Sequence, residues 1–297
     1  ASGAGQDWLV AGCEGGDGAM FIMSVDLESW VHRPIFGLPV EKQDRALDDG
    51  FIPRSVDVVL ESLAKFKAKA TFFCLGSVAE WYPEAVRAIA EEGHELAVHG
   101  YTHKRLHEHT RQSFEDEIRR TQDVLSAFGD RPIGFRATTF SYAPFMFEVL
   151  EQHGFQYDSS VLPIKTPLYD WSEYENSAPF WGTPRLLEIP VSVAYRFAGI
   201  RIPVGGAYFR LLGGAVDIRL LRSTERQLGI AVFYVHPWEL VSGPRVPVSL
   251  PKRTVAYYGI PALASFERVL SSFPWTDFRD SLGAVAQLLS STGNHGG

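Results

Sequence analysis

Short apolar runs typical of β-strands alternate with longer amphipathic segments typical of helices from residue 19 to about residue 240. This alternation predicts repeated βα units, in which parallel strands form a sheet that helices cover. With 297 residues and 45% hydrophobic content, the chain can bury a large core as one domain of α/β-barrel size or as two smaller ones. We therefore predict an α/β fold.

The pattern also predicts where the elements and the long connections lie. The predicted strands are residues 19–25, 70–75, 95–98, 133–140, 155–160, 186–191 and 230–235. The predicted helices are residues 54–66, 83–92, 114–129, 143–154, 216–229 and 261–273. The loop at 28–51 and the irregular excursion at 162–185 are long enough to line a binding site. Residues 201–210 are predicted as a further loop, where Gly205 and Gly206 permit either close approach to a ligand or a tight turn.

Reactive side chains follow five of the predicted strands, at or just beyond the end of each apolar run. They are Asp26, His99, Arg136, Asp158 and His236. In parallel α/β folds the carboxyl ends of the strands open onto one face, where active sites assemble. A single aspartate in such a position is usually a helix cap or a turn residue. Five residues of acid, base, metal-ligand and anion-binding types favour an active site instead.

His99 and His103 lie four residues apart after an apolar run, a spacing that suits a divalent metal. Zinc-binding helices of the HExxH type have the same spacing, but Gly100 and its neighbours here supply no glutamate, and a glycine weakens a helix. The motif is therefore predicted at a junction of strand and loop. A tract with five histidines between residues 94 and 109 can alternatively be solvated surface.

Charge and composition narrow the class of partner. A net charge of −7 and a pI near 5.7 argue against nucleic acid or an anionic membrane as the main partner. Cys13 and Cys74 do not form a disulfide framework, and Cys74 is predicted to be a buried thiol. We see no apolar stretch of about 18 residues and no secretory leader, so we expect a soluble protein, cytoplasmic rather than secreted, unless a leader has been removed.

Taken together, the motifs resemble those of the NodB-homology polysaccharide deacetylases, carbohydrate esterase family four. The five motifs fall in order on SVDLES (24–29), HGYTH (99–103), FRATTFS (135–141), YDSS (157–160) and VHPWEL (235–240). The resemblance implies a distorted (β/α) barrel with seven parallel strands, which would span residues 19–297 after an N-terminal extension at 1–18. The segments GGAYFR and YYGIPALASFERVL are similar to those of the subgroup found in exopolysaccharide and capsule loci.

The resemblance also implies the reaction, a metal-dependent hydrolysis of an acetyl group on a sugar, with an acetylated carbohydrate as the binding partner. Glu28, His99 and His103 would hold a divalent metal, for which we favour Zn²⁺ over Co²⁺, Ni²⁺ or Mn²⁺. Such a metal polarises a carbonyl and acidifies water. Asp26 would be the catalytic base, and Arg136 would hold it in place.

The remaining roles concern the leaving group and the sugar. His236 would protonate the departing amine, and Asp158 would orient the His236 imidazole. The backbone amide of Tyr142 is a candidate donor to the oxyanion. The candidate sugar-stacking residues are Tyr142, Trp238, Tyr208 and Trp30. Each of these aromatic residues, considered singly, can equally be core or rim packing.

Two features depart from the family pattern. The first motif of the family usually has adjacent aspartates, whereas here Leu27 separates Asp26 from Glu28. We assign Asp26 as base and Glu28 as ligand, and the reverse assignment stays open. The second motif usually has Ser or Thr after its first histidine, whereas this chain has Gly100, so the loop hydrogen bond is expected from another residue such as Thr102.

Three functions remain open on sequence grounds. The first is N-deacetylation of an amino sugar in a polysaccharide, oligosaccharide or lipid-linked saccharide. The second is a related amidase, deformylase or cyclic imide hydrolase, because substrate choice depends on loops rather than on the barrel. The third is an inactive carbohydrate-binding barrel. The motifs do not fix the oligomeric state.

The ligand assignment predicts how metal content responds to mutation. His99→Ala and His103→Ala should each lose bound metal, because each removes one of three protein ligands. Glu28→Ala should also lose metal, whereas Asp26→Asn should keep metal and lose turnover. Elemental analysis of the purified variants measures this. Full metal stoichiometry in the histidine variants would place the site elsewhere, and the opposite result for the two acids would exchange their roles.

Overall fold

A computed structural model of the chain describes residues 19–32, 38–166, 170–174, 177–195, 201–242 and 260–292. The predicted N-terminal extension at 1–18 lies outside the described residues. The strands are β1 (Met20–Leu27), β2 (Thr71–Cys74), β3 (Glu95–Val98), β4 (Gly134–Phe135), β5 (Tyr157–Asp158), β6 (Phe180–Thr183), β7 (Leu186–Glu188), β8 (Val193–Tyr195), β9 (Arg201–Pro203), β10 (Ile230–Val235) and β11 (Trp275–Thr276). The helices are α1 (Arg45–Asp48), α2 (Phe51–Lys65), α3 (Gly76–Trp81), α4 (Pro83–Glu91), α5 (Arg111–Leu125), α6 (Met146–Gln152), α7 (Gly206–Leu212), α8 (Gly214–Leu228), α9 (Ile260–Leu270) and α10 (Phe278–Thr292).

The main sheet follows the order β10-β1-β2-β3-β4-β5-β7-β6. The first seven strands of this path run parallel, and only β6 pairs antiparallel, with β7. These seven are the strands predicted from the apolar runs, so the predicted fold class is confirmed. The predicted strand number agrees approximately, because the short strand β11 also pairs parallel with β1. The sequence pattern did not predict β6, β11 beside β1, or the small β8-β9 sheet.

The edge strand β10 meets Ser192 and Gly205, which follow β7 along the chain, through isolated hydrogen bonds, a closure that we call the seam. The Ser192 amide donates to the Val232 carbonyl at 3.3 Å, and the Val232 amide donates to Ser192 Oγ at 2.8 Å. Gly205 forms an isolated parallel bridge with Tyr234 of β10. The barrel is therefore distorted, because its last junction lacks a continuous ladder.

The two faces of the sheet carry different side chains, because consecutive residues of a strand point to opposite sides. Along β1, Phe21, Met23, Val25 and Leu27 pack toward the helices. The intervening residue Ile22 belongs to a second cluster on the inner face. The same alternation in the other strands sends His99, Arg136 and His236 to the inner side, and this is how the site is assembled.

Three predicted segments, one strand and two irregular stretches, differ from the structure. The predicted strand at 133–140 pairs only over Gly134–Phe135, and a 3-10 turn at Thr138–Phe140 follows it. The predicted loop at 201–210 contains β9 and the start of α7. Gly205 packs against the strand β10, a role that neither predicted alternative, a ligand or a tight turn, describes. The excursion at 162–185 includes the strand β6 within its described part.

Cys74 is a buried free thiol, as predicted, and burial raises its pKa above the usual range. Cys13 lies outside the described residues. Within the described part of the chain, no helix has both the length and the apolar character needed to cross a membrane.

The surroundings of three glycines predict how much stability each glycine-to-alanine change should cost. A Cβ at Gly205 would lie 2.3 Å from the Tyr234 carbonyl oxygen, and its φ of +105° is unfavourable for other residues. Gly205→Ala should therefore lower the free energy of unfolding by about 3 kcal/mol or more, since overpacking and strain add. Gly154→Ala has open space at a φ of +80° and should cost about 1 kcal/mol.

Gly129→Ala is the control, because it has open space and no positive φ, and its effect should stay within about 0.5 kcal/mol. Urea unfolding of the three variants measures their free energies of unfolding and so ranks the losses. A Gly205→Ala protein as stable as Gly154→Ala would show that the seam tolerates displacement.

Candidate active site

The inner face brings six of the predicted catalytic and metal-binding residues together near the carboxyl ends of β1, β3, β4 and β10: Asp26, Glu28, His99, His103, Arg136 and His236. Asp26 is the last inward-facing residue of β1, and Glu28 lies two positions further on the same side. The inserted Leu27 faces the helices instead. Beyond the strand end, the Glu28 amide donates to the Asp26 carbonyl oxygen at 2.9 Å, and both carboxylates lie near His236 Nε2.

The buried guanidinium of Arg136 connects Asp26 to its neighbours. Its Nη1 donates to Asp26 Oδ1 at 2.7 Å and to Ser24 Oγ at 3.0 Å. Its Nε and Nη2 donate to the carbonyl oxygen and the Oγ of Ser159, at 3.0 and 2.9 Å. Phe73 lies under the guanidinium at 4.1 Å from the ring centroid. Arg136 is 0% exposed, so its charge is balanced and bonded within the protein.

The backbone of Arg136 fixes the orientation of His99. Nδ1 of His99 lies 2.8 Å from the Arg136 carbonyl oxygen, which can only accept a hydrogen bond. The proton is therefore on Nδ1, and the Nε2 lone pair faces the site, as is common for metal-binding histidines. Burial lowers the pKa of His99 to about 4, so the ring is neutral and able to bind a metal.

Glu28, His99 and His103 form a cluster of three buried candidate ligands, whose ligand atoms all lie within 4.8 Å of one another. Glu28 Oε2 contacts His103 Nε2 directly and is 4.0 Å from His99 Nε2. Burial alone would raise the pKa of Glu28, but His103, His236 and His99 lower it below its usual range. An ionised carboxylate with two imidazoles is a donor set that fits a divalent first-row metal.

Glu117 of α5 holds the loop that carries His103. It accepts from Thr102 Oγ1 at 2.5 Å and from the Tyr101 amide at 3.2 Å. Thr102 therefore makes a hydrogen bond in this loop, as expected. Gly100 adopts a φ of +84°, which explains a glycine where the family usually has Ser or Thr.

His32 is a neighbour of the site that sequence reasoning missed. Its ring stacks between Trp81, at 5.4 Å, and His103, at 5.8 Å. The Ser29 amide donates to its Nδ1 at 2.9 Å. Burial, reinforced by the charge of His103, lowers the pKa of His32 to about 3 and keeps it neutral. The signal available in the sequence was its position four residues after Glu28.

His236 follows β10 and points Nε2 at both acids, 3.4 Å from Glu28 Oε1 and 3.9 Å from Asp26 Oδ2. Its Nδ1 lies 3.2 Å from Glu239 Oε2. Although burial opposes protonation, the carboxylates of Glu239, Glu28 and Asp26 raise the pKa of His236. Glu239 was not among the predicted site residues.

Asp158 is placed elsewhere, and this corrects its predicted role. The strand register pairs Asp158 with Phe135 of the helix-facing cluster and with Glu188. Its Oδ1 accepts from Ser160 Oγ at 2.5 Å. Burial raises the pKa of Asp158 to about 6, and burial together with Asp158 raises that of Glu188 further. The two acids form a buried carboxyl pair, while both ring nitrogens of His236 face other carboxylates.

A cavity of about 790 Å³ opens beside the cluster, lined by His32 and His103. The loop predicted at 28–51 supplies one wall through Leu38 and Val40. Thr102 and Lys104 stand on another side. The described part of the excursion at 162–185 does not line this cavity, although its Trp171 supports Tyr142 through an edge contact at 5.0 Å.

The four aromatic residues predicted to stack on a sugar differ in how exposed their side chains are. Tyr142 is 44% exposed and Tyr208 is partly exposed, so both remain candidate sugar-binding residues. Trp30 and Trp238 are each 4% exposed and pack together in a small cluster with Val31, so neither presents a ring face for stacking on a sugar. Trp238 instead stacks on His236 at 4.7 Å and donates Nε1 to Glu28 at 3.4 Å.

Comparisons with known proteins identify similar sequences and a similar fold. Residues 46–157 match the family model Polysaccharide deacetylase, and residues 159–283 match a domain of unknown function, DUF3473. A peptidoglycan deacetylase from Helicobacter pylori is 30% identical over 157 residues, which cover 48% of this chain and 52% of that protein. A peptidoglycan-N-acetylglucosamine deacetylase from Bacillus cereus is 34% identical over 102 residues, 33% of this chain and 37% of that protein.

The chain thus spans about half or less of the length of these curated relatives. The crystal structure of a putative polysaccharide deacetylase from Mycobacterium smegmatis superposes with a TM-score of 0.57 at 21% identity, and 95% of each chain is covered. At this identity the superposition establishes the shared fold.

The Arg136 network predicts a large loss of stability when the guanidinium is removed. Arg136→Met should lower the free energy of unfolding by about 3–5 kcal/mol, because it leaves the buried Asp26 carboxylate unpaired. Arg136→Lys keeps the charge but loses the forked pair of guanidinium donors. Its free energy of unfolding should therefore lie between those of the wild type and Arg136→Met.

The control is Arg119→Met, which breaks an exposed pair with Asp116 and should cost less than about 1 kcal/mol. Denaturant unfolding of the metal-free proteins gives the values. Similar losses in Arg136→Met and Arg119→Met would mean that the buried pair adds no more than a surface one.

Proposed function

Because sequence and fold together support membership of the polysaccharide deacetylase family, we propose that this chain is a metal-dependent carbohydrate N-deacetylase. Its substrate would be an N-acetylated amino sugar in a polysaccharide, oligosaccharide or lipid-linked saccharide. The observation that carries the proposal is the convergence of Glu28, His99 and His103 beside Asp26 and His236. We also propose, from the GGAYFR and YYGIP segments, that the polymer is an exopolysaccharide or capsule.

Glu28, His99 and His103 are the proposed ligands, and zinc is the proposed metal, since two imidazoles and a carboxylate match catalytic zinc sites. When bound, such an ion supplies Lewis-acid chemistry, polarising a carbonyl and lowering the pKa of water. The hydrogen bond from His99 to the Arg136 carbonyl keeps one ligand atom oriented before any metal arrives.

Asp26 is the proposed base. Arg136 binds its Oδ1, so that Oδ2 faces His236. The guanidinium holds the carboxylate in place, and Oδ2 can then accept a proton from the attacking water. As the water oxygen bonds to the acyl carbon, the developing oxyanion needs a donor, and the backbone amide of Tyr142 is the proposed one.

His236 is the proposed acid. The amine is a poor leaving group as an anion, so the breaking C–N bond needs a proton, and Nε2 of His236 faces the acids of the site. The proton that Asp26 takes from water can return to Nε2 across the 3.9 Å between the two groups. This transfer restores both residues for another turnover.

The substrate screen tests the whole proposal. Purified protein is stripped of metal, replenished with Zn²⁺, and assayed for acetate release from N-acetylated oligosaccharides, with formamides and cyclic imides in parallel. Release of acetate that depends on added metal supports the deacetylase. Turnover confined to a formamide or imide would support the related hydrolase, and stoichiometric metal without any turnover would support an inactive barrel.

The acid role of His236 predicts a dependence on leaving group. His236→Ala should lose about 10²- to 10⁴-fold in kcat on an N-acetyl substrate, the range for a positioned acid. The loss should be smaller on an acetate ester with a good leaving group, which needs little protonation. Steady-state kinetics on both substrates, with metal content measured, decide this. Equal losses on the two substrates, or loss of metal, would remove His236 from the acid role.

A further inference from the structure

The segment that matches a domain of unknown function, residues 159–283, contains His236 and two charged residues behind it. Glu239 lies three residues after His236 in a 3-10 turn, Pro237–Glu239. Arg210 projects from α7, a helix of the same segment. The ligands Glu28, His99 and His103 all precede this segment. The site is therefore built from both parts of the chain.

Glu239 holds His236 at two points. Its Oε2 accepts from the His236 backbone amide at 2.9 Å and lies 3.2 Å from ring Nδ1. Pro237 starts the turn that brings the carboxylate back over its own strand end. A carboxylate only accepts hydrogen bonds, so the proton of this contact belongs to Nδ1 of the imidazole.

Arg210 holds Glu239 in turn. Its Nε donates to Glu239 Oε1 at 2.6 Å, and its guanidinium lies 5.0 Å from the Trp238 ring centroid. Trp238 stacks on the His236 ring. Glu239 therefore holds the edge of the imidazole, and Trp238 covers its face. Glu239 is 0% exposed, and although burial opposes ionisation, Arg210 and His236 lower its pKa to about 2.

We propose that Glu239 and Arg210 are positioning residues for His236, and that supplying this Arg210–Glu239–His236 chain is a function of the segment at 159–283. The proposal rests on the proposed function, in which His236 is the acid. Glu239 keeps a proton on Nδ1, so that the proton delivered to the amine leaves from Nε2 on the opposite edge of the ring. Arg210 keeps the buried Glu239 carboxylate ionised and in place.

The first test uses kinetics on the zinc-loaded protein. Glu239→Ala should lower kcat on an N-acetyl substrate by about 10- to 100-fold, the range for removing a partner that orients a catalytic imidazole. The loss should be smaller on an ester with a good leaving group. In the His236→Ala background, Glu239→Ala should add less than about twofold, because residues that act as one unit are non-additive.

Two conservative variants separate positioning from folding. Glu239→Gln keeps the shape and one acceptor, so its loss should be smaller than that of Glu239→Ala, and Arg210→Lys should behave similarly. The matched control is Glu151→Gln, which alters a pair with Arg185 Nε at 2.8 Å on a distant surface and should leave the kinetics unchanged. Equal losses of Glu239→Ala on amide and ester, or full additivity with His236→Ala, would overturn the proposal.

The second test needs no activity, which separates this proposal from the proposed function. In metal-free protein labelled with ¹⁵N-histidine, His236 should show a hydrogen-bonded Nδ1 proton that disappears in Glu239→Ala and persists in Asp158→Asn. A wild-type protein that shows this proton but releases no acetate would count against the deacetylase alone. Persistence of the proton in Glu239→Ala, or its loss in Asp158→Asn, would count against the positioning role.

Discussion

The buried guanidinium of Arg136 is the contact on which the site depends. Its side chain binds Asp26 and Ser24 of β1 and Ser159 beyond β5, while its carbonyl orients His99 beyond β3. One residue thus fixes the proposed base and one proposed ligand at the same time. A buried charge of this kind is tolerated only when its donors are satisfied, and the Arg136 guanidinium donates to β1 and to Ser159 beyond β5.

Much of the site could be predicted, because strand periodicity determines which residues share a face. Apolar runs located the strands, and the reactive residues at their downstream ends were expected to share one face. His99, Arg136 and His236 each follow an apolar run at a position that the strand alternation directs to the inner face. Asp158 does not lie on the inner face. Tyr157 occupies the inner face of β5, so the next residue must point outward. The motif alone does not reveal that phase.

The remaining errors have similar physical causes. Glu239 lies beyond Pro237, where the strand period no longer applies and a turn returns the side chain toward its own histidine. Trp30 and Trp238 follow strands near acids, yet their large apolar surface is buried by mutual packing, an effect that depends on the fold rather than on local sequence. A glycine pair likewise cannot show whether a ligand or a strand lies against it.

The seam has a consequence for how such a barrel can diverge. A regular ladder keeps neighbouring strands about 4.8 Å apart along its whole length, so any change in one strand is passed to the next. Here the junction between Ser192, Gly205 and β10 consists of separate bonds. The stretch between β7 and β10 can therefore change in length and shape without shifting the register of the strands that carry the proposed ligands.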